Sequence, residues 1–424
     1  MRLLHVVDSL DAEKGGVSQA VKTMAEEVRK VGFFNEVVTL DFQENLDDTE
    51  LVHVNGLGPT TGPWRYNKRL IPWLLHNFSR FDTIIVHGLW LYQTFAVKKA
   101  LLTYAKQIRK EGSLVTLPAL YIMPHGMLDP YFQRATGRKL KAIRNRVYWK
   151  LIESKVVNSA NGLLFTCKEE CLLATIPFAP YKPKRELIVG LGICEPPIYN
   201  KSMDEDFLNV CSQLRNQKYL LFLGRIDKKK GVDLLINAYR QIVYEFGRQR
   251  ISQEQSTSFH EFNGKDFEYA PNFPKLVIAG PGLDSVYGKE VTTIVNNCPI
   301  LRNSVFFPGM LEGLQKWGAF YGSEAFVLPS HQENFGIAVV EALACSKPVL
   351  ISNQVNICSE IQESNAGIVA EDSEAGTYTA LRKWTHLSDP QKIRMQKEAR
   401  KCYEKHFALD AATSRLINAL SYRG

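Results

Sequence analysis

One pattern constrains this chain from end to end: short aliphatic and β-branched runs alternate with longer segments of helical periodicity. LLHVV (3–7) reads as a strand. Residues 17–31 follow it and place Val17, Val21, Met24, Val28 and Val31 on one helical face. EVVTL (36–40), LVHV (51–54), TIIVHG (83–88), LYIM (120–123) and GLLFT (162–166) continue the strands, with helical patterns between them. Such alternation predicts parallel sheets, because a parallel pair needs a crossover long enough to bring the chain back to the same edge. The fold class is therefore α/β.

The pattern restarts after about residue 215. YLLFLG (219–224) precedes a helix over GVDLLINAYRQIV (231–243). KLVIAG (275–280), SVFFPG (304–309), AFVLP (325–329) and PVLIS (348–352) are further strands. Residues 176–200 hold Pro177, Pro180, Pro183, Pro196 and Pro197 and read as a hinge. Residues 247–274 are polar with little periodicity and read as a surface insertion; the tail from Pro390 to Leu420 reads as helix. A chain of 424 residues accommodates two or three domains at roughly 100–200 residues each.

Charge narrows the partners. Residues 1–200 carry 26 Lys/Arg against 19 Asp/Glu, and residues 201–424 carry 26 against 25. The excess lies in the first half, which favours an anionic partner or is simply solvated lysine. The eight cysteines are scattered; Cys167 and Cys171 are four apart but no second pair completes a zinc site. Cys211 and Cys345 sit in apolar surroundings, as small core residues do, and thiols used this way suit a reducing compartment. MRLLHVVDSL is interrupted too soon by Asp8 to act as a signal peptide, and no apolar run approaches the roughly 18–20 residues of a spanning helix. The expectation is a cytoplasmic protein.

In open α/β sheets ligands bind beyond the C-terminal ends of the strands. After the first strand, Gly15 and Gly16 stand just before a helix, where backbone N–H groups can approach a phosphate or simply turn the chain. This is not GxGxxG, so the dinucleotide fingerprint is absent. After YLLFLG come Arg225, Lys228, Lys229, Lys230 and Gly231. Cations at a helix start oppose the macrodipole unless an anion joins them, which points to an anion site. After AFVLP comes SHQENFGIAVVEALA, with Glu333 in the loop and Glu341 about one and a half turns into the following helix. Glu341 is flanked by Val339, Val340, Ala342, Leu343 and Ala344, and a carboxylate in such company needs hydrogen-bond donors; two ribose hydroxyls would serve. HGLW (87–90) and PHGMLDP (124–130) place His87 and His125 just after strands. No serine elbow, Walker loop or HExxH occurs.

SHQENFGIAVVEALACSKPVLIS resembles the Glu-x7-Glu signature of retaining family-4 glycosyltransferases of the GT-B fold, two Rossmann-like domains facing across a cleft. FLGRIDKKKG resembles that family's Gly-Arg…Lys-Gly diphosphate segment, and GGVSQAV, LVIAGPG (276–282) and PHGMLDP match in kind and order. PHGMLDP, GMLEGLQKWGAF (309–320) and LISNQVNI (350–357) are similar to a bacterial branch of exopolysaccharide and lipopolysaccharide assembly. The resemblance implies an acceptor-binding domain over 1–195 with a C-terminal helix at about 405–424 packed back on it, and a nucleotide-sugar-binding domain over 196–404. It implies transfer of a hexose from a UDP- or GDP-sugar to a saccharide or lipid-linked saccharide, with retention and with no metal or cofactor. Arg225 and Lys230 would bind the diphosphate, Glu341 the ribose, and Glu333 the sugar beside the backbone of Asn334, Phe335 and Gly336. Gly15 and Gly16 would approach the diphosphate, Gly280 belongs to the donor site, and His125 would lie by the sugar. Two stretches depart from the family: Ser346 replaces a usual Gly, and Leu191-Gly192-Ile193 stands where the family usually has Asn-Gly-Val or similar.

The basic run 134–150 carries Arg134, Arg138, Lys139, Lys141, Arg144, Arg146 and Lys150, and Leu140, Ile143, Val147 and Leu151 form a stripe at helical spacing. One reading packs the stripe into the core beneath a solvated basic face. The other has the segment contact an anionic membrane, at the inner face, or a lipid-diphosphate acceptor. The competing functions are a nucleotide-sugar epimerase or hydrolase on the same fold, a non-catalytic sugar-binding homologue, and a nucleic-acid binder, which the scarcity of aromatics in the basic stretch disfavours.

Overall fold

The computed structural model describes residues 1–11, 16–45, 52–112, 115–134, 138–254 and 273–421. The chain divides into two units, Met1–Cys194 with Phe407–Gly424, and Glu195–His406.

The first unit holds β1 (Arg2–Val7), β2 (Phe34–Thr39), β3 (His53–Gly56), β4 (Thr83–His87), β5 (Ala119–Met123), β6 (Gly162–Phe165) and β7 (Glu186–Ile188). They form one parallel sheet in the order β3-β2-β1-β4-β5-β6-β7. Its strands are apolar on both faces because helices cover both. Leu4, Val6, Ile84, Val86, Ile122, Leu163 and Phe165 are all fully buried in one core cluster. The chain leaves this unit after Cys194 and returns at Phe407. The two crossings lie side by side: Ile193 N donates to Phe407 O at 3.0 Å. The Leu409–Ser421 helix then packs on the Gly16–Lys30 helix, and Arg415 Nε donates to Val189 O at 3.1 Å.

The second unit holds β8 (Tyr219–Leu223), β9 (Lys275–Ala279), β10 (Val305–Gly309), β11 (Ala325–Leu328), β12 (Val349–Ser352) and β13 (Gly367–Ala370). The sheet is parallel in the order β10-β9-β8-β11-β12-β13. The strand order reverses direction between β1 and β4 in the first sheet and between β8 and β11 in the second, and such switch points open crevices at the strand C-termini.

Several sequence expectations are corrected. Val31 lies beyond its helix and is half exposed, because the chain turns at Gly32 with φ +90°. The strand expected at 51–54 runs over His53–Gly56, and residue 51 lies outside the described residues. The expected hinge at 176–200 contains β7, paired to β6. The expected insertion begins later than residue 247, because the helix continues to Glu254; residues 255–272 lie outside the described residues. That helix starts at Val232, with Gly231 outside it in left-handed conformation.

Candidate functional site

At the second unit's switch point the loops after β8 and β11 bring Lys230 and Glu333 together. Lys228–Lys230 form one 3-10 turn after β8, capped by Asp227, whose carboxylate accepts from Lys229 N at 2.9 Å. Gly231, at φ +66°, carries the chain from this turn into the helix. A Cβ there would lie 2.1 Å from Pro329 O, so the loop after β8 and the loop after β11 touch through a position only glycine can hold. Ser330 Oγ and His331 N both donate to Lys229 O, at 3.0 and 2.8 Å, and tie the loops together. Lys230 Nζ thereby reaches Glu333 Oε2 in a short ion pair. The pair is half-buried, where Coulombic attraction is screened less than at the surface. Arg225 is exposed at the β8 exit and makes no hydrogen bond or ion pair among the described residues.

Glu333 is pinned by its backbone. Its N–H donates to Gln354 O at 2.9 Å and its carbonyl accepts from Asn356 N at 2.9 Å, so the loop pairs with the segment after β12. Asn334 Oδ1 accepts from Asn356 Nδ2 at 3.3 Å. Phe335 is buried. Gly336 caps the Ile337–Ala344 helix with φ +75°, close against the Glu333 side chain. Gly280 leaves β9 at φ +135°, and a Cβ there would lie 2.0 Å from Gly224 O.

Glu341 has a donor within the protein. Its side chain is 12% exposed and already paired: Lys316 Nζ lies 2.6 Å from Oε1. Lys316 comes from the Gly313–Gly322 helix and also lies over the Trp317 ring at 4.4 Å. Lys316 lies within GMLEGLQKWGAF (309–320), where no local pattern marks it as a partner for Glu341. The second carboxylate oxygen retains acceptor capacity, since an ionised carboxylate offers about four lone-pair directions.

In the first unit, Gly16 begins the helix after β1 and is exposed, while Gly15 lies outside the described residues. The two strand-exit histidines prove to be neighbours. His87 Nδ1 and His125 Nε2 are 3.0 Å apart. His87 Nε2 and His5 Nδ1 are also 3.0 Å apart, making a stack of three rings through β1, β4 and the β5 exit. His87 is 1% exposed and lies between the other two rings, while His125 is only partly buried. Burial pushes His5 and His125 down to about 4, and burial plus its two neighbours pushes His87 well below its ordinary range. His125 adopts φ +52°, and the turn is held from beneath by Glu170. Its carboxylate accepts from Gly126 N at 2.5 Å, and from Thr166 N and Oγ1 at 2.7 and 2.6 Å. Among the described residues, no group of three or more His, Cys, Asp or Glu side chains is placed to hold a metal ion.

Comparison with known proteins bears on this geometry. Residues 263–402 match the family described as glycosyl transferases group 1. The group 1 match takes in Gly280, Lys316, Glu333 and Glu341, while Arg225 and Lys230 precede it. An uncharacterized glycosyltransferase of Methanocaldococcus jannaschii is 26% identical over 153 residues, 36% of this chain and 32% of that protein. A D-inositol 3-phosphate glycosyltransferase of Gordonia bronchialis is 23% identical over 211 residues, 49% of this chain and 41% of that protein. The matched part thus spans 32–41% of the length of these curated relatives. HepE of Anabaena, solved in complex with UDP and glucose, is 15% identical and covers 99% of each chain at a TM-score of 0.66. At that identity the likeness establishes the fold, two parallel-sheet Rossmann-like domains of the GT-B glycosyltransferase type.

Proposed function

We propose that this chain is a glycosyltransferase. It moves a hexose from a UDP- or GDP-sugar to a saccharide or lipid-linked saccharide acceptor in cell-surface polysaccharide synthesis. Transfer retains anomeric configuration and uses no metal ion. The second unit binds the donor and the first the acceptor, on the cytoplasmic side of the membrane.

The observation that carries this reading is the meeting of Lys230 and Glu333 at the switch point of the second sheet. Breaking the bond between the anomeric carbon and the diphosphate sends the electron pair to a phosphate oxygen and leaves cationic character on the sugar. A fixed ammonium beside a fixed carboxylate matches that separation of charge. Lys230 and Arg225 stabilise the leaving diphosphate; Glu333 faces the sugar, with the Asn334, Phe335 and Gly336 backbone beside it. Glu341, steadied by Lys316, accepts the ribose hydroxyls on its second oxygen. The acceptor hydroxyl attacks on the face the phosphate leaves, and its proton passes to that phosphate. Neutral His125 offers the sugar a hydrogen bond rather than a charge. Prearranged charge of this kind is worth several kcal/mol at the transition state, about 10²–10³ in rate per group removed.

The test is a metal-free thermal-shift panel of UDP, GDP, ADP and their sugar conjugates. UDP comes first because HepE, which shares the fold, was solved with UDP and with UDP-glucose. Selective stabilisation by one nucleoside diphosphate is expected, rising with the logarithm of its concentration above Kd. Arg225→Ala and Lys230→Ala should weaken that shift and cut turnover by about 10²–10³. No shift from any nucleotide, or wild-type turnover in both variants, would sink the reading.

A further inference from the structure

The basic helix of the first unit is built the opposite way round from a core helix. Over Lys139–Tyr148 and the π-helical Trp149–Glu153 that continues it, the buried positions are Ala142, Asn145, Trp149 and Glu153. Trp149 fixes this face: its ring stacks on Phe178 with centroids 4.9 Å apart. At about 100° per residue, the stripe of Leu140, Ile143, Val147 and Leu151 falls on the far side of the helix. Those four side chains are 83, 59, 54 and 61% exposed. The core-facing reading of the stripe is therefore overturned. A polar and aromatic face is buried and the aliphatic face points to solvent.

We propose that this face docks on an anionic lipid bilayer. Charge complementarity selects the partner. Lys139, Arg146 and Lys150 flank the stripe on one side, Lys141 and Arg144 on the other, and all five are exposed. None of them pairs with a carboxylate among the described residues, and no acidic residue occurs between Lys139 and Ile152. A protein interface core is typically depleted of charge, whereas here cations border every apolar side chain. An aliphatic ridge has nothing to read on a nucleic acid. A bilayer surface satisfies both features, since the apolar ridge enters the acyl boundary while lysine and arginine heads remain among anionic headgroups. Among the described residues no helix is long and apolar enough to cross a membrane, so this contact would lie in the interface plane.

The docked helix supports a strand exit. Tyr148 Oη donates to Leu91 O at 3.4 Å. Glu153 accepts from Trp90 N at 2.7 Å and Thr94 Oγ1 at 2.8 Å. The loop after β4 thus rides on the helix that meets the bilayer, where a lipid-linked acceptor would arrive. That last step rests on the glycosyltransferase reading; the membrane contact does not.

The experiment is co-sedimentation of the full chain with vesicles of phosphatidylcholine, alone or mixed with phosphatidylglycerol, at low and high salt. Wild type should bind the anionic vesicles and lose more than tenfold in affinity at high salt or on neutral vesicles. Leu140→Ser/Leu151→Ser should lose more than tenfold at low salt. Lys139→Gln/Arg146→Gln/Lys150→Gln should lose as much and become insensitive to salt. All three proteins should keep wild-type melting temperatures and the same nucleotide-induced shift, which separates failure here from failure of the donor site. Absence of wild-type binding to anionic vesicles, or undiminished wild-type affinity in either variant, would overturn the proposal. So would a wild-type dimer in light scattering that Leu140→Ser/Leu151→Ser converts to monomer, since the face would then bind a second copy. Salt-sensitive binding to nucleic acid without vesicle binding would overturn it equally.

Discussion

At the scale of single residues, the three stacked histidines constrain one another. Each N···N contact requires one N–H and one lone pair, so three neutral rings must point their hydrogen bonds in one sense. Whether the outer nitrogen of His125 donates or accepts is then set as far away as His5. The stack also carries a pH signature. Buried neutral histidines have folded-state values below the ordinary 6.5, with His5 and His125 near 4. The unfolded chain binds more protons between those values, so stability is fully present above pH 6.5 and falls as pH drops towards 4. His87→Gln removes the central titrating ring. At pH 7.5 it should be less stable by about 1–3 kcal/mol, because its buried partners lose a hydrogen bond. Its melting temperature should then decline less steeply than wild type between pH 6.5 and 4. Parallel melting curves for the two proteins across that window would contradict the assignment.

Elements place these residues, and Gly231 is where an element's geometry bears on the chemistry. Its left-handed backbone reverses the chain between the lysine turn and the helix, with Pro329 O against its Cα. Gly231→Ala combines a strained φ with a backbone collision, so the loops after β8 and β11 must separate. The same separation would pull Lys230 from Glu333. Urea titration should show a loss of at least about 1–3 kcal/mol, and the nucleoside diphosphate shift should disappear. An alanine variant with wild-type midpoint and wild-type shift would refute this account of the turn. The sequence made this part of the site legible because loops after strongly apolar strands can be read locally. Arg225, Lys230 and Glu333 all follow such strands. Lys316 could not be read that way: it reaches Glu341 from a different helix, 25 residues away in sequence. His5 looked like an ordinary strand residue because its partner His87 is 82 residues away. β7 and β13 escaped notice as edge strands, short and only partly buried. The Leu140 stripe misled for a different reason. Periodicity identifies an apolar face but not its direction, and here Trp149 determines which side is buried.

At the scale of the molecule, the second unit is an insertion into the first. Its two ends leave and return beside each other, at Ile193 and Phe407. It has a core of its own, with Phe222, Ile278, Phe326, Val340 and Trp384 all fully buried. It also carries Arg225, Lys230, Gly280, Lys316, Glu333 and Glu341. Domains inserted through adjacent termini commonly fold alone. Residues 195–406 expressed by themselves should therefore unfold cooperatively and respond to the same nucleoside diphosphate as the full chain. The cut at 406 leaves the Leu409–Ser421 helix with the first unit, where Leu416 and Leu420 are buried. A cut at 421 would instead expose both leucines on the excised piece and should lower its solubility. Calorimetry of the 195–406 fragment with and without nucleotide decides the matter. A cooperative transition that nucleotide raises would assign the donor site to this unit alone. A cooperative transition that nucleotide leaves unmoved, when the full chain responds, would mean that first-unit groups such as the Gly16 helix start are required for binding.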